Sequence, residues 1–350
     1  MHQKRFTRSH RFAVVAAATT AALLASCSQN TVEGPSVEER ASVAASKAEA
    51  AAKSAAEEAR VKSEQRRQES GFGQSWPRTI GTLSPTGERI EVTLDAQPTR
   101  IIALGGETLA ALLADGAPVV AIVTGEGEQL NRDVEQQAAA ANTEILTAAD
   151  RGKAAADTAA DVVITTAQFA AANTPLVEEV AGDRPLIIAD AEGASWQNLM
   201  TTVANPAGKI TEATSAVADF HQLVGTTAAG VVSPAAPIVA VAPTTGGFTV
   251  LGEDDPMIAL LRDVKFELPE NTGEGRIVDA AALVNTAKHG TILLLAPNGE
   301  VDAALRDEVN AVDNEEERPT IAALAVDPIG ANLFSSQRLL EELSAQFGAQ

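Results

Sequence analysis

The stretch PTRIIALGGETLAALLADGAPVVAIV, residues 98–123, decides the fold. Ile101–Leu104 is a short apolar run suited to a buried strand, and Gly105-Gly106 turns the chain after it. Glu107–Ala114 then reads as a helix built from Ala and Leu, both strong helix formers. Asp115-Gly116 ends it, and Val119–Val123 is a second strand, rich in valine. Strand, helix and strand in this order imply a parallel sheet whose faces are covered by helices.

The same alternation continues on both sides. Upstream, Thr79–Leu83 and Arg89–Leu94 flank Ser84-Pro85-Thr86-Gly87, a turn-rich hairpin signal. Downstream, Val162–Thr165 and Pro185–Ala189 are apolar runs, each beside a helix-like segment. From Trp196 to about Thr226 the apolar positions Trp196, Leu199, Met200, Val203, Ile210, Val217, Phe220 and Val224 follow a period close to 3.6. Pro206 and Gly208 interrupt that stretch and would kink or break it. After Ser233-Pro234-Ala235-Ala236-Pro237 a second β/α series begins. Its expected strands are Ile238–Ala242, Phe248–Leu251, Thr291–Leu295 and Thr320–Val326. Its expected helices lie near Pro256–Asp263, Val278–Lys288, Val301–Val309 and Leu333–Phe347. The expected fold class is α/β: two Rossmann-like lobes with parallel-rich sheets, residues 78–195 and 231–350, joined by one long helix over 196–230.

The N-terminus carries a different message. Lys4, Arg5, Arg8 and Arg11 precede an apolar stretch from Phe12 to Ala25, of signal-peptide length and too short to span a bilayer. It runs into Leu24-Ala25-Ser26-Cys27, which looks like a lipobox, the processing site of bacterial lipoproteins. In that reading residues 1–26 are a signal peptide, and Cys27 is diacylated and becomes the new N-terminus at the outer face of the membrane. Residues 27–35 form a flexible leader. Residues 36–70 are rich in Ala, Glu, Lys and Arg, without Gly or Pro from Val37 to Ser70, and read as a helical tether capped by Ser36 and Glu39. At the rise of an α-helix this tether is on the order of 50 Å long. Val37, Ala41, Ala44, Ala48, Ala51 and Ala55 form a heptad seam, which fades at Glu58 and Lys62. A spacer is the reading favoured over a coiled-coil partner, because alanine buries little surface.

Composition excludes several classes. The whole chain carries a net charge of −21, and loss of the four basic residues before Cys27 takes it to about −25. So acidic a surface repels nucleic acid and anionic headgroups. With one cysteine there is no disulfide within the chain and no zinc–thiolate site. Tyrosine is absent and tryptophan occurs twice, so the core must rest on Ala, Val, Leu and Ile, which suits buried parallel strands. No G-x-S-x-G, H-E-x-x-H or G-x-x-x-x-G-K-[ST] motif occurs, and no enzymatic activity is expected.

The order of elements resembles the periplasmic binding proteins that deliver iron-siderophores, haem or cobalamin to ABC importers. Four patterns carry the resemblance. They are the entry hairpin with Gly87 followed by Pro98–Gly106, the helix-turn-strand Thr108–Val123, the helix and buried strand of Asp279–Leu295, and the terminal helix Ser336–Phe347. It covers about residues 78–347 and implies a solute-binding protein with ABC permease and ATPase subunits as partners and a small-molecule ligand such as a ferric siderophore. It implies a cleft lined by loops after the strands, and places Gly106, Glu107, Thr108, Thr166, Trp196, Thr245, Phe248 and Arg276 there as candidate ligand contacts. Trp196 and Phe248 would stack and Arg276 would clamp an anion. Each has a plainer reading too: Trp196 as a core residue, Phe248 as a strand packer, Arg276 as a solvated charge. The mature chain's His221, His289, Met200 and Met257 are too scattered for a metal or haem site, so no cofactor is expected. Glu253-Asp254-Asp255 reads as a helix N-cap or as charges for permease arginines. The alternative function is a degenerate cleft on the same fold, serving as a scaffold in an envelope complex.

Overall fold

The computed structural model describes residues 75–156, 159–191, 195–268 and 275–349. Cys27 and the expected tether 36–70 lie outside these residues. The described chain opens with an antiparallel hairpin, β1 (Arg78–Leu83) and β2 (Arg89–Leu94). Its turn is closed by the Gly87 amide donating to the Ser84 carbonyl at 2.9 Å. The Thr82 hydroxyl donates to the Ile188 carbonyl at 3.1 Å and accepts from the Ile188 amide at 2.7 Å, which stitches the hairpin to the lobe that follows.

That lobe contains β3 (Ile101–Leu104), α1 (Gly106–Ala114), β4 (Val119–Val123), α2 (Arg132–Ala140), β5 (Glu144–Leu146), α3 (Arg151–Ala156), β6 (Val162–Thr166), α4 (Ala167–Ala172), α5 (Thr174–Ala181) and β7 (Leu186–Ala189). Its five strands are all parallel, in the order β5-β4-β3-β6-β7. The chain leaves central β3 toward β4 and β5, then returns to the other side for β6 and β7. Between β3 and β6 the winding reverses, which leaves a crevice at their carboxyl ends. Successive side chains of a strand point to opposite faces. Ile101 and Ala103 therefore enter one core cluster, and Ile102 and Leu104 the other. This double burial is why the run has no polar residue.

The expected single helix over 196–230 is two helices, α6 (Trp196–Ala207) and α7 (Ile210–Gly230). Gly208 takes the left-handed conformation, φ 72°, as the C-cap of α6, and its amide is bonded back to the Asn205 carbonyl at 3.1 Å. Pro206, two residues before this cap, removes one intrahelical donor in the last turn. The 3.6-residue period persists through Gly208 in the sequence, yet one left-handed residue redirects the axis.

The second lobe comprises β8 (Ile238–Thr244), β9 (Gly247–Val250), α8 (Pro256–Asp263), β10 (Ile277–Val278), α9 (Ala280–Thr286), β11 (Thr291–Ala296), α10 (Ala303–Asn310), β12 (Thr320–Ala325) and α11 (Leu333–Phe347). Its sheet runs β10-β9-β8-β11-β12. Strands β8, β11 and β12 are parallel, but β9 is antiparallel to β8 and β10 to β9. The series is thus not β/α alternation from its start. Only Thr245 and Gly246 separate β8 from β9, which permits a hairpin and no crossover helix. Val278 lies in β10, so α9 begins at Ala280, capped by the Asp279 side chain accepting from the Ala282 amide at 2.8 Å.

One face of each sheet drains into the same apolar cluster. Leu109 and Leu112 of α1, Met200 and Val203 of α6, Phe220 of α7, Met257 and Leu261 of α8, and Leu339 and Leu340 of α11 all belong to it. The terminal helix α11 packs on β12, on α7 and on α1, so it spans both lobes. No helix among the described residues is long and apolar enough to cross a membrane.

Asp115, the C-cap of α1, is 1% exposed, and neither carboxylate oxygen has a hydrogen-bond partner among the described residues. Burial, reinforced by the negative charge of Glu212 and opposed by Lys209, pushes its carboxyl up to about 8. The folded protein therefore holds a proton on Asp115 at neutral pH that the unfolded chain releases near pH 4. Its contribution to stability falls as pH rises from about 4 to about 8. Asp115→Asn should raise the unfolding temperature at pH 8 and lose that advantage as pH is lowered to 4, which thermal melts of both proteins across pH would read.

Candidate ligand cleft

Two adjoining cavities lie at the carboxyl ends of the first lobe's strands. The polar one, about 600 Å³, is built from the three loops that follow β3, β4 and β6. It holds Gly105–Thr108, Gly125–Glu128, Thr166, Gln168, Phe169 and Asn173, and so occupies the crevice where the winding reverses. The apolar one, about 540 Å³, lies between the lobes. Its walls are α1, the start of α6, α8, and the segment joining β12 to α11. Gly106, Glu107 and Glu128 line both.

The turn after β3 is shaped by close approach. Gly105 has φ +85°, and a Cβ there would meet the Phe169 ring at 2.6 Å. Only glycine relieves both constraints. The α1 N-terminus has no side-chain cap from its own turn. Instead Glu128, 22 residues away, reaches back: its Oε1 accepts from the Gly106 amide at 2.7 Å and its Oε2 from the Gly125 amide at 2.7 Å. A carboxylate is the favoured occupant of a helix N-terminus, where free amides and the helix dipole present positive charge. The Thr108 hydroxyl, in a residue 1% exposed, lacks a partner among the described residues, as does Gln197 Oε1 in the apolar cavity.

The apolar cavity's aromatic wall is Trp196 against Phe220, ring centroids 4.9 Å apart and near perpendicular at 81°. Ser195 caps the helix that carries Trp196, accepting from the Asn198 amide at 3.4 Å. Across the cavity, Asp255 caps α8 by accepting from the Met257 amide at 2.8 Å, and burial raises its carboxyl. Glu253 pairs with Arg262 at 3.6 Å. The acidic triplet 253–255 is thus in part a helix cap, as one reading of the sequence has it.

On one side the cavity is closed by a polar knot between lobes. Asn131 Oδ1 caps α2 by accepting from the Asp133 amide at 2.9 Å. Its Nδ2 donates to the carbonyls of Asp327 at 3.2 Å and Ile329 at 2.8 Å. Asp327 Oδ2 in turn accepts from the Arg132 amide at 2.7 Å, placing a second-lobe carboxylate at the N-terminus of a first-lobe helix. Asn131 and Asp327 are both 5% exposed.

Of the eight candidates, five meet here. Gly106 and Glu107 line both cavities, Thr108 and Thr166 the polar one, and Trp196 the apolar one. The Thr166 hydroxyl is partly committed, accepting from the Phe169 amide at 3.2 Å as the cap of α4. The other three line neither cavity. Phe248 is 4% exposed and packs in the second lobe's own core. Thr245 is exposed at the β8–β9 hairpin tip, and Arg276 is exposed, with its carbonyl accepting from the Val250 amide. For Thr245 and Phe248 the reason is the hairpin: the loop after β8 is a tight turn into an antiparallel strand. Sequence reasoning misses Glu128, Asn131, Phe169, Gln197 and Asp263, which also line the cavities. Glu128 carries no local signal beyond polarity in a Gly-containing loop, and Asn131 signals only a helix cap. Among the described residues no group of three His, Cys, Asp or Glu gathers in a way that could hold a metal.

No protein-family model matches this sequence, and no curated protein does. Solved structures do resemble it. The holo form of ViuP has 20% identity and TM-score 0.59, covering 79% of this chain and 97% of its own. The iron-uptake ABC transporter substrate-binding protein PiuA of Streptococcus pneumoniae has 14% identity and TM-score 0.53, covering 76% and 98%. The triscatecholate siderophore binding protein FeuA of Bacillus subtilis, complexed with ferri-bacillibactin, has 14% identity and TM-score 0.51, covering 77% and 97%. At these identities the likeness establishes the fold alone: two α/β lobes.

Replacing Asn131 by Ala removes a helix cap and leaves two carbonyls of the knot without their donor. The expected loss is on the order of 2 kcal/mol in denaturant unfolding, with faster amide exchange both in the first turn of α2 and at residues 327–332.

Proposed function

We propose that this chain is a solute-binding protein of an ABC importer, lipid-anchored at the outer face of the cell membrane, that captures a ferric chelate between its lobes and presents it to a permease. The observation that carries this reading is the apolar cavity of about 540 Å³, placed between the lobes beside the strand crevice and walled by Trp196. A volume of this order suits a small organic ligand and not a bare ion or a protein segment. The fold shared with PiuA and FeuA, whose names state substrate or siderophore binding, supports the same assignment. The lobes are welded by a common core, so capture requires adjustment of loops more than closure of a hinge.

Anchoring follows from the residues before Cys27 and from the diacyl modification that a lipobox directs. A Cys27→Ala protein should appear in the medium or unprocessed in the membrane, and mass spectrometry of the mature wild type should find the lipid on Cys27.

Ligand capture is read through Trp196. Ferric chelates quench tryptophan, and the second tryptophan, Trp76, lies outside both cavities with the Arg78 guanidinium 4.3 Å from its ring centroid. Titration of a ferric hydroxamate and a ferric catecholate should quench most of the Trp196 emission and raise the unfolding temperature for at least one of them. Trp196→Phe should abolish most of the quench while keeping the thermal shift. No quench and no shift with any ferric chelate, haem or cobalamin would overturn the assignment.

A further inference from the structure

The cleft contains formal charge of one sign. Glu107, Glu128 and Asp263 line the apolar cavity, and Glu126 joins Glu107 and Glu128 in the polar one. Among the described lining residues there is no lysine, arginine or histidine. Arg276, the cation expected to clamp an anionic ligand, stands outside.

The backbone offers an anion no better welcome. The amides of Gly106, at the start of α1, and of Gly125, in the loop after β4, are already taken by the Glu128 carboxylate at 2.7 Å each. The polar groups left over are of a different kind. Gln197 Oε1 is an acceptor without a donor among the described residues, and the buried Thr108 hydroxyl, also unpartnered there, can accept as readily as it donates. Both line the cavities and both suit a ligand that brings N–H or O–H groups. Glu107 stands exposed where the two cavities join. A cation placed there would find a carboxylate and an aromatic wall, both of which attract positive charge.

Resting on the solute-binding reading above, we infer that the cleft selects a cationic, partly apolar ligand and rejects anionic ferric tris-catecholates of the kind that FeuA holds. Glu107 supplies the exposed charge that selects, and Glu128 acts as a built-in anion that fills the seat an anionic ligand would need.

The probes are ferrioxamine B, a ferric tris-hydroxamate bearing a free ammonium, and ferri-bacillibactin, a trianionic tris-catecholate, titrated by Trp196 quenching into the full mature chain. Ferrioxamine B should bind at least about 10-fold more tightly, and that preference should shrink in high salt as screening shortens the reach of the carboxylates. Glu107→Gln, at an exposed position that leaves folding intact, should weaken ferrioxamine B about 5-fold or more and leave the melting temperature of the free protein unchanged. Glu128→Ala, which vacates the Gly106 and Gly125 amides, should improve ferri-bacillibactin binding. Equal or tighter binding of ferri-bacillibactin by the wild type, or no effect of Glu107→Gln, overturns the charge selection while leaving the solute-binding reading in place. Failure of both probes, with neutral ferrichrome, haem and cobalamin also silent, removes the solute-binding reading and this inference with it.

Discussion

The constraint on which the rest depends is the apolar cluster shared by the two lobes. Each sheet turns one face outward to its own helices and the other into this common core, where Leu109, Met200, Phe220, Met257 and Leu340 meet. Two lobes that bury apolar surface against each other cannot part without exposing it, at roughly 25 cal/mol per Å². The connecting helices α6 and α7 are therefore one bond among several. The terminal helix α11 is another, and the knot of Asn131 and Asp327 is a third.

The cleft is the place where that shared core is left unfilled. Small residues of α1, Ala110 and Ala111, and of α8, Ala259, face the gap where larger side chains would have closed it. The floor is rigid for two reasons. The helices around it are capped by side chains, Asn131, Asp255, Ser195 and Asn332, and the β3 turn is pinned by Gly105 under the Phe169 ring. Among the described residues the formal charge lining this frame has one sign, and the amides at the starts of α1 and α2 are met from inside the chain by Glu128 and Asp327. An acidic protein has here an acidic cleft.

Much of the fold is legible in the order of residues. The run from Pro98 to Val123 specifies strand, turn, helix and strand, because an apolar run without polar interruptions suits a strand covered on both faces. The two-lobed order and the terminal helix follow from the same periodicities. Pro206 and Gly208 mark a kink or break in the 196–226 stretch, but the hydrophobic period runs on across it and does not say which; the left-handed backbone of Gly208 decides for two helices. The β8–β9 hairpin misleads, since a short apolar run does not say whether its partner is parallel or antiparallel. That ambiguity carries Thr245 and Phe248 into a cleft they do not line. Gly106 and Thr166 line the cavities because they follow strands of a sheet that is parallel throughout.

By itself the sequence determined which segments are doubly buried, where the chain turns, how acidic the molecule is, and the apolar run that ends at Cys27. These are local or summed properties, read from spacing and composition. Only the tertiary structure decided that Glu128 fills the amides of Gly106 and Gly125, that Trp196 meets Phe220 at a cavity wall, and that Asn131 joins Asp327 over 196 residues of chain. Such pairings depend on topology: a polar side chain in a loop is indifferent to its neighbours in sequence, and its partner is set by which strands the sheet brings side by side.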